Sequence, residues 1–232
     1  MSEREKILSR VREALTVAAP FPGEHVHDDH SVQHQTAPRS AATGAREWLP
    51  PVGPGFEEQV KAFVANAVDL KADFHLLDEP EALAPLLQKL RDAEGWKRAA
   101  SHTGDLTKKA CDALALPVFL TDRPYDVNEL ESCDVGITGC DALIAQTGSV
   151  VVTGRSAGGR ALSVLPPHHV VLARREQLVP DLPAAFELLQ RRYAGSYPSF
   201  ISFITGPSRT GDIERILVLG AHGPKKLTIV CL

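Results

Sequence analysis

The fold class is decided by residues 73–101, which read DFHLLDEPEALAPLLQKLRDAEGWKRAAS. The apolar run Asp73–Leu77 predicts a β-strand, and Glu79–Asp92 predicts a helix with Pro80 in its first turn, where a missing backbone N–H does no harm. A second short strand is predicted at Arg98–Ser101. A strand, a helix and a strand in this order are typical of a β-α-β unit with parallel strands.

The same alternation continues on both sides of this unit. Helices are predicted at Glu57–Leu70 and Leu106–Leu114, and a strand at Val118–Leu120. The second half adds three strands and one helix, predicted at His169–Ala173, Ile201–Thr205, Leu227–Leu232 and Leu182–Arg192. Short strands that alternate with longer helices predict an α/β fold with a mostly parallel sheet flanked by helices.

A β-hairpin is predicted between residues 142 and 153. The strands Ala142–Gln146 and Ser149–Thr153 are joined by Thr147-Gly148, and the glycine supplies a positive φ at low cost. The next segment, Gly154–Arg160, contains three glycines and two arginines. It is either a loop that cradles an anion or a solvated turn, and the residues alone favour neither.

The first 56 residues form a separate part of the chain. Ser2–Thr16 predicts an amphipathic helix, which either docks on a partner or packs on its own domain, the commoner role. Residues 17–56 are rich in proline and glycine and predict an extended linker arm. Without a scaffold around them, four histidines of the arm favour a polar linker over a metal site: His25, His27, His30 and His34. We therefore expect one α/β domain over residues 57–232.

Composition excludes several classes of protein. The chain has 232 residues and a net charge of −4, whereas a general nucleic-acid binder carries a basic surface. No apolar run approaches the ~20 residues of a membrane span, and the N-terminus lacks the apolar core of a signal peptide. We therefore expect a cytoplasmic protein without a membrane span. Its four cysteines are widely spaced, which predicts reduced thiols and not a zinc site or an iron–sulfur cluster.

The strongest motif for a binding site is FITGPSRTGDIE at residues 203–214. A strand runs into a glycine-rich turn there, and ligands of α/β sheets bind beyond the carboxyl ends of strands. Gly206 allows close approach to the backbone, and Arg209 offers a planar fork for a carboxylate or phosphate. The other polar side chains supply hydroxyl groups and carboxylates: Ser208, Thr210, Asp212 and Glu214. The alternative is a capped surface turn in which Arg209 pairs with a carboxylate.

Histidines outside the arm are a second group of candidates. His222 is followed by Gly223 in a tightly turning loop, where it either shuttles protons or has no role. His168 and His169 follow two prolines. Because neighbouring residues on a strand face opposite sides of the sheet, at most one of the pair enters a given site. A core or edge position is favoured for His169.

Three common signatures are absent from the sequence. There is no GxGxxG after a strand, no GxxxxGK[ST] and no GxSxG. A Rossmann dinucleotide site, an NTPase P-loop and a serine-hydrolase elbow are therefore not expected.

Four segments together resemble the LUD-domain family: Ala142–Ser149, Leu165–His169, Gly206–Glu214 and His222–Pro224. The resemblance covers residues 57–232 and is to the small subunits that consist of a LUD domain alone. It implies a fold similar to the NagB/RpiA/CoA-transferase group. It also implies a role in oxidising L-lactate to pyruvate with two larger proteins that carry iron–sulfur clusters. No cofactor is then expected on this chain alone.

One departure separates this chain from the CoA-transferases of the same fold group. Those enzymes use a glutamate nucleophile near a strand–turn–strand element, and Gln146 occupies the similar place here. An amide cannot form the acyl anhydride that a carboxylate forms. CoA transfer is therefore not expected.

The sequence thus predicts a subunit of an iron–sulfur L-lactate-oxidising system that binds a small anion. The expected catalytic residues are His222, Asp212 and Glu214. The expected ligand-binding residues are Thr147, Gly148, Ser149, Gly206, Ser208, Arg209, Thr210 and Gly223. No metal site is expected. Two alternatives stay open: a non-catalytic assembly or regulatory subunit, and an independent enzyme acting on a phosphorylated metabolite.

Overall fold

A computed structural model of the protein describes residues 3–16, 50–210, 218–220 and 222–232. Most of the predicted linker arm, with its four histidines, lies outside these residues. The chain divides into two compact units, residues 1–46 and residues 47–232.

The first unit contains helix α1, at Glu3–Thr16, where the sequence predicts a helix. Its apolar residues Ile7 and Leu8 are 60% and 39% exposed. The helix therefore presents apolar surface to solvent.

The second unit contains all the other described elements. Its helices are α2 (Phe56–Asp69), α3 (Leu83–Glu94), α4 (Asp105–Leu114), α5 (Val127–Glu131) and α6 (Leu182–Tyr193). Its first six strands are β1 (Asp73–Leu76), β2 (Ala99–Ser101), β3 (Val118–Leu120), β4 (Val135–Gly139), β5 (Ala142–Ile144) and β6 (Ser149–Thr153). The others are β7 (His168–Ala173), β8 (Leu178–Val179), β9 (Ile201–Ile204), β10 (Arg209–Thr210), β11 (Val218–Leu219) and β12 (Lys226–Cys231).

Six strands form the main sheet, in the order β1-β12-β7-β4-β2-β3. Every neighbouring pair in it is parallel. The prediction of an α/β fold with a mostly parallel sheet flanked by helices is therefore confirmed.

Strand β7 lies in the middle of the main sheet and is buried at all six positions. Val170 and Leu172 pack in a core cluster that includes Leu87 of α3 and Leu114 of α4. Val171 faces the other way, into a cluster formed with α2 and β6. Because both faces are covered, the strand is an uninterrupted apolar run after its two histidines.

A second sheet has the order β8-β5-β6-β9, and both β5 and β9 are antiparallel to β6. Val150 and Val152 of β6 share the core cluster of α2 and the main sheet. Val151, between them, packs on the opposite side against α6. The second sheet is thus sandwiched between the main sheet and α6.

Several details differ from the sequence prediction. The sequence predicts a strand at Ile201–Thr205 with a ligand site beyond its carboxyl end, as in a parallel sheet, whereas β9 ends at Ile204, lies in the second sheet and pairs antiparallel with β6. The hairpin turn spans four residues instead of two, because Gly148 N donates to Ile144 O at 2.9 Å. The helix predicted at Glu79–Asp92 starts later, after a 3₁₀ turn at Pro80–Ala82.

In the described part of the chain, no helix is long and apolar enough to cross a membrane.

Candidate functional site

A cavity of about 280 Å³ opens between the second sheet and the amino-terminal ends of β7 and β12. We call it the inter-sheet cavity. Phe200, Ser202 and Ile204 line one wall, at every second residue around β9. The rest comes from the segment after β6, the start of β7, the turn after β9, and β12 with the loop before it: Arg160, Ser163, Val164, His169, Thr205, Gly206, Pro207, Ser208, His222, Gly223, Pro224 and Leu227.

Arg160 is the one lysine or arginine among the described residues that line the inter-sheet cavity. Its side chain is exposed, and its guanidinium lies over the ring of Phe200 at 5.2 Å from the centroid. No carboxylate of the described residues forms an ion pair with it. A guanidinium held against an aromatic face with free N–H groups is suited to bind a carboxylate or phosphate.

His169 is the most deeply buried polar residue of the cavity, with 1% of its surface exposed. Its Nε2 lies 2.8 Å from Thr138 Oγ1, and no described residue provides a hydrogen-bond partner for Nδ1. Burial and, to a smaller extent, the neighbouring His168 together lower the pKa of His169 to about 3. The imidazole is therefore neutral and offers one unused hydrogen-bonding position.

His168 faces the other side of the main sheet. Its Nε2 lies 2.8 Å from Thr228 Oγ1, and its ring packs edge-on against Trp96. Burial is the main cause that lowers its pKa to about 4, with smaller opposing effects from charged neighbours such as Glu94 and Lys226. The two histidines thus occupy opposite faces, as predicted, and the one that reaches the cavity is His169.

The two buried histidines predict acid sensitivity of the fold. Their folded pKa values lie below the unfolded value of about 6.5, so the unfolded state binds more protons between pH 3 and pH 6.5. The free energy of unfolding keeps the full contribution of the two neutral histidines above pH 6.5 and loses it as the pH decreases below that value. Between pH 7 and pH 5 each histidine removes about 2 kcal/mol of unfolding free energy. Urea unfolding at both pH values measures this.

The matched control for that prediction compares His169→Gln with His222→Gln. His222→Gln changes an exposed imidazole and serves as the reference variant. Replacement of His169 is expected to make the loss between pH 7 and pH 5 smaller. An unchanged loss in the His169 variant would contradict the assignment of a neutral buried imidazole.

Four of the predicted site residues meet at the inter-sheet cavity: Gly206, Ser208, His222 and Gly223. Ser208 makes no side-chain hydrogen bond within the described residues, and its Oγ lies 3.3 Å from where a Cβ on Gly223 would stand. A side chain at position 223 would therefore crowd this hydroxyl group. His222 lines the cavity and is itself exposed, so it lies where the cavity opens to solvent.

The predicted residues of the hairpin turn lie behind the cavity wall. Ser149 Oγ lies 2.8 Å from Thr205 Oγ1 and accepts a hydrogen bond from Thr147 Oγ1. Gly148, at φ +64°, packs so closely on α2 that a Cβ would lie 2.8 Å from Asn66 Cβ. These three residues support the wall and do not line the cavity.

Arg209 is not among the described residues that line the inter-sheet cavity. Arg209 is exposed, and its Nη2 donates to Leu70 O at the end of α2 at 2.7 Å. Thr210 follows it in the short strand β10. Asp212 and Glu214 lie outside the described residues.

Gly206 holds the turn between β9 and Arg209 in place. Its φ is +81°, and a Cβ would lie 2.8 Å from both Leu70 O and Arg209 Nη2. We expect Gly206→Ala to lower the free energy of unfolding by roughly 2–3 kcal/mol, through backbone strain and contact with backbone. Urea unfolding measures the loss.

Gly195→Ala is the matched control for this change. Gly195 has nearly the same φ, +79°, but nothing within 4 Å of its built Cβ. It should lose only about 1 kcal/mol, the cost of strain alone. Equal losses at the two positions would show that the close contact at Gly206 has no energetic weight.

Sequence reasoning missed two residues of the cavity. Arg160 lies in the glycine-rich segment 154–160, for which the residues alone do not decide between anion binding and a solvated turn, and the sequence favours a core or edge position for His169. Strand alternation places His169 on the same face as Val171, which was a usable signal. Nothing in the sequence indicates that Phe200 would lie under Arg160.

Thiols and metal ligands give no second centre. The four cysteines are free, and burial raises the pKa of Cys231 to about 11. Among the described residues, no three histidine, cysteine or acidic side chains cluster in a way that could hold a metal ion.

The sequence of this chain matches a known class of protein. A sequence profile of the LUD domain matches residues 60–232. The match covers well over half of the chain, so this chain belongs to the LUD-domain family.

Curated relatives within this class are named lactate utilization protein C. That of Macrococcus caseolyticus is 33% identical over 159 residues, 65% of this chain and 66% of the relative. Those of Anoxybacillus flavithermus and Bacillus subtilis are 36% and 34% identical over 107 residues each. These two matches cover 46% and 45% of this chain and 47% and 45% of the relatives. The chain thus spans about half the length of these two relatives.

A solved structure shows the same fold. A DUF162 family protein from Deinococcus radiodurans matches with a TM-score of 0.59 over 77% of this chain and 99% of that protein. The two sequences are 20% identical, so the likeness concerns the fold alone.

Proposed function

We propose that this protein is a subunit of an iron–sulfur L-lactate-oxidising system and that it binds a small carboxylate in the inter-sheet cavity. The relatives named lactate utilization protein C support the role in lactate metabolism. The observation that carries the binding proposal is that the inter-sheet cavity is lined by both Arg160 and His169, whose guanidinium and Nδ1 respectively have no ion-pair or hydrogen-bond partner among the described residues. This pair offers one site for a carboxylate and one for the adjacent hydroxyl group.

The cavity residues can hold lactate but cannot take up its electrons. Arg160 binds the carboxylate, and His169 hydrogen-bonds the 2-hydroxyl group. Oxidation to pyruvate releases two electrons and two protons. In this proposal the exposed imidazole of His222 accepts the hydroxyl proton, and the C2 hydrogen and the electron pair must both be taken up by an acceptor on partner proteins that carry iron–sulfur clusters.

Calorimetric titration of the purified chain with L-lactate, pyruvate and inorganic phosphate tests this proposal. Saturable binding of the two carboxylates, with phosphate binding more weakly, is the expected result. Tight binding of phosphate with no heat from either carboxylate would favour the alternative of an enzyme that acts on a phosphorylated metabolite.

An assembly role for the N-terminal unit is the second candidate, favoured by the exposure of Ile7 and Leu8 on α1. A partner subunit could cover this apolar surface. Ile7→Glu is expected to reduce co-purification with the iron–sulfur partners, whereas Lys6→Glu, also exposed, is the matched control. Equal recovery of partners with both variants would contradict the docking role.

A further inference from the structure

The inter-sheet cavity is larger than L-lactate requires. Its volume is about 280 Å³, and L-lactate has six non-hydrogen atoms. Even if each atom occupied the roughly 30 Å³ of a water molecule in the liquid, about a third of the cavity would stay unfilled. A ligand that leaves such space empty loses contacts with the walls that face it.

The surplus space is bounded mainly by apolar side chains. Leu227 belongs to the core cluster around β6 and β7, and Phe200 and Ile204 pack against the same cluster. Pro207 and Val164 complete this apolar lining. A methyl group as small as that of lactate covers little of such a wall.

The difference in burial between the mouth and the floor of the cavity determines how a bound acid is oriented. Arg160 and His222 are exposed at the mouth, whereas His169 and Leu227 are 1% and 2% exposed at the floor. A carboxylate bound to Arg160 stays near water, and the carbon chain attached to it extends toward Leu227. The opposite orientation would bury the charged carboxylate at the floor and expose the apolar side chain at the mouth, which is unfavourable.

We propose that the cavity selects 2-hydroxy acids whose apolar side chain is larger than methyl, branched or aromatic chains included. The inference rests on the proposed function, because it assumes that Arg160 and His169 bind the carboxylate and the 2-hydroxyl group. It adds that Phe200, Ile204 and Leu227 bind the side chain.

The expected gain in affinity follows from apolar burial. Each additional buried methylene tightens binding by about fourfold. L-2-hydroxy-4-methylpentanoate has three more carbons than L-lactate. We therefore expect its Kd to be 10- to 100-fold lower, with L-3-phenyllactate in a similar range.

The test is calorimetric titration of the full chain with L-lactate, L-2-hydroxybutanoate, L-2-hydroxy-4-methylpentanoate and L-3-phenyllactate. A Kd that falls along the series of aliphatic acids supports the proposal. The alcohol 4-methylpentan-1-ol, which lacks the carboxylate, should not bind, and equal binding of this alcohol would overturn the proposal.

Substitutions with phenylalanine at two positions of the cavity lining test where the apolar side chain of the bound acid lies. Ile204→Phe fills space on the β9 wall, and Val164→Phe, at a position that is 37% exposed, is the matched control. Ile204→Phe is expected to weaken binding of the six-carbon acid at least tenfold and that of L-lactate less than threefold, whereas Val164→Phe should not change the preference for the longer acid. Circular dichroism and thermal unfolding check that the variants fold.

The failure of this proposal differs from the failure of the proposed function. If L-lactate binds as tightly as the longer acids, or if Ile204→Phe does not change the preference, the size selection is wrong and lactate binding stands. If none of the four acids binds, the proposed carboxylate site is itself wrong.

Discussion

Replacing Arg160 with alanine is expected to weaken binding of L-lactate and pyruvate by 10- to 100-fold. Hydrogen bonds to a charged group contribute about 1.5–3 kcal/mol, and Arg160 is the cavity's only arginine or lysine among its described lining residues. Its ring contact with Phe200 at 5.2 Å holds the guanidinium in place before the ligand arrives. Calorimetric titration of the variant measures the loss.

Arg209→Ala is the matched control, because Arg209 is the residue that the sequence favoured as the carboxylate ligand. Its Nη2 is bonded to Leu70 O, so we expect less than a threefold change in Kd. Arg160→Lys should recover part of the affinity, since it restores the charge without the planar fork. If only the Arg209 variant loses binding, the carboxylate binds at Arg209 in the turn after β9, and the assignment to Arg160 is wrong.

Replacing Arg192 with methionine is expected to lower the free energy of unfolding by about 3 kcal/mol. Asp141 is fully buried, and its Oδ1 accepts hydrogen bonds from Arg192 Nη1 and Tyr193 Oη, both at 2.7 Å. Its Oδ2 has no partner among the described residues. Without Arg192 a buried carboxylate has no counter-charge, which is among the costliest single changes. Urea unfolding at pH 7 measures the loss.

Two further variants distinguish the effect of breaking the Asp141–Arg192 ion pair on the free energy of unfolding from the effect of removing any arginine. Arg191→Met changes the exposed neighbouring arginine, and we expect less than 0.5 kcal/mol for it. Adding Asp141→Asn to Arg192→Met should recover part of the stability, because the buried charge is removed as well. If the double variant is less stable than Arg192→Met, the charge of Asp141 is not the cause.

The fold could be predicted where local pattern and tertiary role agree. Strands and helices between residues 57 and 120 follow from apolar periodicity, and they form part of the main sheet. Strand β4 escaped prediction because Gly136 and Gly139 weaken its strand signal. Gly136 is required by packing, since a Cβ there would collide with Leu162 O. That requirement exists only in the folded chain.

The site was predictable only in part, for a related reason. The glycine-rich turns at Gly206 and His222 are marked by local sequence, and both line the cavity. The placement of Arg160 depends on how the second sheet packs on the main sheet, which no local pattern reports. The turn after β9 lines the cavity although β9 is antiparallel to β6 and does not belong to the parallel sheet. The sequence could not predict this arrangement, because an alternation pattern does not show strand direction.

The hydrogen bond from Arg209 to Leu70 has a consequence for local motion. Gly206, on the cavity wall, is packed against the same carbonyl group, so the last turn of α2 and this wall share their support. Local unfolding at the end of α2 would remove contacts of the cavity wall at Gly206, and the reverse also holds. We therefore expect these two segments to unfold as one cooperative unit. A ligand that holds the wall in place therefore also protects the end of α2 from opening, although no atom of that helix is among the residues that line the cavity.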